Sequence, residues 1–185
     1  MVLHQNTYPI NLRYVLIALA AVLLTFVLHE STHYLTGKLL GYDMWMNLNA
    51  AGLVDGQSYS QEWHNQLVSI AGPIITVLQG IAIFIIINKT KNLNWYPFLF
   101  VAVLMRIFAS AISAISVPND EARVSEWLGI GKMTLPIVVS LFLVYLLVRT
   151  SREQKINLKF NALSFVILSI GITTLIYTNQ YFINQ

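Results

Sequence analysis

Residues 14–36 read YVLIALAAVLLTFVLHESTHYLT, from Tyr14 to Thr36, and the fold follows from this stretch. No charged side chain interrupts residues 14–28, and about 20 apolar helical residues suffice to cross a hydrocarbon core of roughly 30 Å. The stretch predicts a membrane-spanning helix. No small-residue cleavage site follows it, as a signal peptide would require; it ends instead in His29, Glu30 and His33. A retained helix is therefore expected.

The rest of the 185 residues repeats the pattern. Apolar side chains make up 56% of the chain and charged ones only 10%, with a mean hydropathy of +0.64. Soluble domains carry about a quarter charged residues, so lipid is the expected solvent for most of this surface. Further spans are expected at about 67–87, 95–117, 135–148 and 160–182. Pro136 falls in the first turn of the fourth, where proline is tolerated. The expected fold is an all-α membrane protein of about five transmembrane helices. Residues 1–125 would hold a three-helix core carrying the chemistry, and 126–185 two accessory helices.

Cysteine is absent, which removes disulfides, thiolate metal sites and cysteine nucleophiles. The net charge of +3 is small and sits in short connections, so it reads as a topology signal and not as a nucleic-acid surface. Arg13, Lys89, Lys91, Arg149, Arg152, Lys155 and Lys159 fall on one side, against Lys38, Arg123 and Lys132 on the other. Seven against three favours a cytoplasmic amino terminus in a multi-pass protein of the cell membrane.

The segment His29-Glu30-Ser31-Thr32-His33 carries His-Glu-x-x-His on a helix. Positions four apart lie one above the other, so both imidazoles can ligate one tetrahedral ion while Glu30 reaches a metal-bound water. Each ionisable group in a span costs roughly 2.5–3.5 kcal/mol unless paired or hydrated, which favours a metal site over an interfacial polar cluster. Zinc suits two imidazoles and a carboxylate. A third ligand must come from elsewhere. His29 lies roughly 22 Å and His33 about 28 Å along the axis from Tyr14, near the far face. Asp120 emerges on that same face after the third span and is the first choice; Glu121 and His64 are alternatives. An Asp-Glu pair at this place also fits a helix cap.

His29-Glu30-Ser31-Thr32-His33-Tyr34-Leu35, with Gly37 and Leu40-Gly41-Tyr42 after it, resembles the zinc motif of the site-2 protease family of intramembrane metalloproteases. Ala71-Gly72-Pro73 resembles that family's second signature, and Asn119-Asp120-Glu121 stands where its third ligand is found. Thr76 replaces the family's Asn, and Glu121 its Gly. The resemblance covers residues 14–125 and implies Zn2+ on His29, His33 and Asp120, with Glu30 as general base. It also implies substrate positioning around Gly72, Pro73 and Thr76, and a protein substrate with a transmembrane or membrane-adjacent segment.

The long connection from Gly37 to Asn65 contains the strand-like alternation Met44-Trp45-Met46-Asn47-Leu48. It is expected to form either a short β-hairpin or an interfacial loop anchored by Trp45 and Trp63. Arg106, in mid-span, is expected to face the bundle interior and pair. Gln79, Ser110 and Ser113 suit interhelical hydrogen bonds, and His4 belongs to the tail. Two other functions fit the same motif: a zinc-binding membrane protein without hydrolysis, and a proton or ion transporter.

Overall fold

The computed structural model of the protein describes residues 9–183, so His4 lies outside the described residues. Helix α1 runs Leu12–Leu39, followed by strands β1 (Met44–Met46) and β2 (Ala51–Leu53). Helices α2 (Glu62–Thr90), α3 (Tyr96–Ile115), α4 (Asp120–Trp127), α5 (Thr134–Glu153) and α6 (Leu158–Ile183) complete the chain. Five of these, all but α4, are long and apolar enough to cross a membrane. The protein is an all-α multi-pass membrane protein with one small antiparallel hairpin.

Local chemistry sets the helix ends. Asn11 caps α1 by accepting from the Tyr14 amide at 3.0 Å. Proline in the first turn of α3 has no amide to leave unpaired there. Helix α5 runs five residues beyond the expected apolar stretch. Arg149 and Glu153, one turn apart with Nε to Oε1 at 2.7 Å, carry it past the end of that stretch.

Helix α3 is the axis of the bundle. Every residue from Leu99 to Arg106 is buried, because α1, α2, α5 and α6 all pack on it. A helical segment buried on all sides reads as continuously apolar, as Leu99–Met105 does. Leu16, Leu19 and Leu23 of α1 and Ile170 of α6 point outward. Gly80 lets α5 approach α2: a Cβ there would lie 2.6 Å from Leu143 Cδ2. Gln79 joins three helices, donating to Thr25 Oγ1 at 2.8 Å and to the Phe98 carbonyl at 3.1 Å. Ser110 bonds Ser140 at 2.9 Å, whereas Ser113 accepts from the Asn119 amide at 3.0 Å and so anchors the start of α4.

The connection after α1 takes the hairpin form, with Met44 opposite Leu53, Trp45 opposite Gly52 and Met46 opposite Ala51. It packs against α1. Gly37 makes that possible, because a side chain there would occupy the place of Met44. Helix α4 adds an element the sequence suggested only as a cap: Asn119 precedes it, and Asp120 and Glu121 fill its first turn, where carboxylates favour the helix dipole.

Candidate metal centre

His29 and His33 share one face of α1, as the four-residue spacing requires, and both are buried with Glu30. Their Nε2 atoms lie 3.1 Å apart. Asp120 Oδ2 is 3.3 Å from His29 Nε2 and 3.4 Å from His33 Nε2. Among the described residues these three form the group that can hold a metal ion. Four ligands at about 2.0–2.1 Å around a tetrahedral ion are separated by about 3.3–3.4 Å, so the triangle has the size of one tetrahedral face.

The far side of each imidazole fixes the lone pairs. His33 Nδ1 lies 2.6 Å from the Val68 carbonyl, which can only accept, so Nδ1 carries the proton. His29 Nδ1 lies 2.9 Å from Thr76 Oγ1, whose own proton goes to the Gly72 carbonyl at 3.0 Å; Nδ1 donates again. In the neutral tautomers so defined, both Nε2 atoms are acceptors. Asp120 is an acceptor too. Arg123 Nη2 donates to its other oxygen, Oδ1, at 2.8 Å. Three converging acceptors with no proton between them are stable around a cation, and the residues fit a divalent ion.

The other sequence candidates are engaged elsewhere. Glu121 Oε1 accepts from Arg106 Nη1 at 2.9 Å in a fully buried pair, which is the partner expected for the mid-span arginine. His64 Nδ1 is 2.7 Å from the Tyr42 hydroxyl, and its ring packs on Trp63.

Glu30 stands outside the ligand triangle and lines a cavity of about 620 Å³ together with His29, His33, Arg106 and Asp120. Its carboxylate accepts no hydrogen bond among the described residues. Gly72, Pro73 and Thr76, expected at the substrate, do not line this cavity; Asn65, Val68 and Ser69, earlier on α2, do. The α2 face bearing Gly72 and Thr76 meets His29 instead. A Cβ at Gly72 would lie 2.6 Å from His29 Cε1 and 2.7 Å from its Nε2. Pro73 acts on the cavity indirectly: lacking an amide, it leaves the Ser69 carbonyl without its helical donor.

The hairpin borders the same space through Ala51, Gly52 and Leu53. Asn47 N donates to Ala50 O at 2.9 Å and Val54 N to Asp43 O at 3.0 Å, so the hydrogen-bonded pairs are those with odd-numbered β1-side residues. By alternation, Ala51 and Leu53 turn their N–H and C=O groups away from β1, to the free edge of β2. Helix α6 closes another side with Ile172, Ile176 and Gln180, and Asn179 ties it to the hairpin turn by accepting from the Leu48 amide at 3.3 Å.

Sequence reasoning missed Thr76 and Val68 as the groups that orient the two imidazoles. The Thr at position 76, four residues from Gly72 and buried in an apolar helix, was the available signal. Comparisons with family models, with characterised proteins and with solved structures find no match to this chain.

Proposed function

We propose that this chain is a membrane-embedded zinc metalloprotease that hydrolyses a peptide bond in a membrane or membrane-adjacent segment of another protein. The observation that carries the reading is the convergence of His29 Nε2, His33 Nε2 and Asp120 Oδ2, with both Nδ1 protons already committed behind them. Two imidazoles and one carboxylate select zinc over the oxygen-loving magnesium and calcium ions. Bound zinc would supply an acidified water, with a pKa of about 7, and polarise the scissile carbonyl. Three protein ligands leave a fourth position for that purpose.

The chain's own groups do the rest. Glu30, in the cavity and with no hydrogen-bond donor among the described residues, takes the proton from the water and returns it to the leaving amine. A helical substrate shields its carbonyls by its own hydrogen bonds, so it must be extended to react. The free edge of β2 offers backbone donors and acceptors to such a segment, as in strand addition. Ser69, whose carbonyl lacks its helical donor because of Pro73, also lines the cavity. The placement of His29, His33, Asp120 and Glu30 supports the roles that the resemblance to site-2 proteases implies for them. The charge bias supports a cytoplasmic amino terminus in the cell membrane.

The test is metal analysis of the purified full chain in detergent, with fluorescein-labelled casein as a general substrate. The wild type is expected to hold one zinc per chain and to lose hydrolysis on chelation. His33→Ala is expected to lose the metal and activity together, because one of three ligands is gone. A metal-free wild type, or hydrolysis that survives complete chelation, excludes the reading. Zinc without hydrolysis would favour a non-catalytic metal protein.

A further inference from the structure

Arg106 is more than a counter-ion. Its guanidinium carries five N–H donors, and pairing with Glu121 uses Nη1 alone. Nε is buried and has no hydrogen-bond partner among the described residues. Nη2 faces His29 Nε2 at 3.5 Å, the same atom that belongs to the ligand triangle. A ligating nitrogen has no second lone pair, so His29 cannot accept from Arg106 while it holds an ion. Arg106 also lines the cavity. A buried cation with unspent donors, set at the edge of a metal triangle and facing a cavity, is built to receive an oxygen.

The neighbouring donors on the cavity wall are placed less favourably than this buried guanidinium. Asn119 gives its side-chain amide to the Ala109 carbonyl at 2.9 Å, and Arg123 is half-exposed on Asp120 Oδ1. Glu121 follows Asp120 directly in the first turn of α4, so one turn of helix fixes both the ligand and the partner that aims Arg106.

We propose that Arg106 is a catalytic residue that stabilises the oxyanion, donating from Nη2 to the carbonyl oxygen of the scissile bond as negative charge develops there. The inference rests on the hydrolytic reading above. Water oxygen bonds to the carbonyl carbon, and the carbonyl π pair moves onto oxygen, where Arg106 meets it. The pair returns as the C–N bond breaks, with the amine leaving as its proton arrives from Glu30. A charge-assisted donor placed where charge develops acts on the transition state and little on ground-state binding.

Removing Arg106 alone would strand a buried Glu121, so the test uses the paired variant Arg106→Met with Glu121→Met, in which both charges go together, and Arg106→Lys beside it. In detergent, with labelled casein, the paired variant is expected to keep one zinc per chain and a KM within about threefold of wild type. Its kcat is expected to fall about 10²–10³-fold, the scale of one oxyanion donor. Affinity for a phosphinic peptide, a tetrahedral anion, should fall by a similar factor, and affinity for an ordinary cleaved peptide should not. Arg106→Lys, with its charge kept but its fork lost, should lie between the two. A paired variant with zinc, wild-type kcat and unchanged phosphinic affinity overturns the proposal, and so does one that loses zinc, which would make Arg106 a support of the metal centre. If the wild type binds zinc but cleaves nothing, the hydrolytic reading itself fails, and that result is distinct from either.

Discussion

Glu30→Gln is expected to abolish hydrolysis while leaving one zinc per chain. The side chain lies outside the ligand triangle, so the three atoms at 3.1–3.4 Å are untouched by the change. Glutamine has the same shape but no basicity, and loss of a positioned general base costs about 10²–10⁴ in rate. The effect on folding should have the opposite sign. Glu30 is buried, and its carboxylate has no hydrogen-bond donor among the described residues, so the native state bears the cost of desolvating a carboxylate. The amide removes that cost. A melting temperature at or above that of the wild type is therefore expected, alongside unchanged zinc and lost casein cleavage. Substantial cleavage by Glu30→Gln would remove Glu30 from the mechanism. Loss of zinc would mean that the carboxylate is itself a ligand.

The parts of this site that depend on one helix were legible in the sequence. His29, Glu30 and His33 are placed by the helical period alone, and α1 adopts that period throughout. Asp120 was legible only through topology, as a carboxylate returning to the membrane face where α1 ends. It does return there, 3.3 Å from His29. The spans were visible as apolar stretches, and the alternation at Met44–Met46 marked a strand. What escaped was set by the rotation of one helix against another. The sequence cannot say which face of α2 meets α1, so the packing of Gly72 and Thr76 behind the imidazoles was not legible in it. In the same way a mid-span arginine announces a partner without naming it; Glu121 emerges only once the start of α4 folds over the end of α3.

Gly72 carries the second large effect, and the reason is space, not backbone freedom. Its residue lies inside α2, where alanine is the better helix former by about 1 kcal/mol, so Gly72→Ala should leave the helix intact. The added methyl, however, would sit 2.6 Å from His29 Cε1 and 2.7 Å from His29 Nε2, with His33 Nε2 closer still. Ordinary contacts between carbon atoms are about 3.5–4.0 Å, so both rings must move. Neither can move freely. His29 is held by Thr76 and His33 by the Val68 carbonyl, both on α2, the helix that bears the methyl. Disturbing groups that orient ligands costs about 10–100-fold in metal affinity, and displacing the ligands themselves should reach the upper end of that range or pass it. Gly72→Ala is accordingly expected to purify largely free of zinc and inactive, with its helical circular dichroism intact. Gly80→Ala is the control: its methyl would meet Leu143 Cδ2 at 2.6 Å, the end of a flexible side chain remote from the imidazoles. That variant should lose some thermal stability and keep both metal and activity. If Gly72→Ala binds zinc with wild-type affinity, α2 does not pack against the two histidines as described, and the ligand triangle cannot be built on this fold.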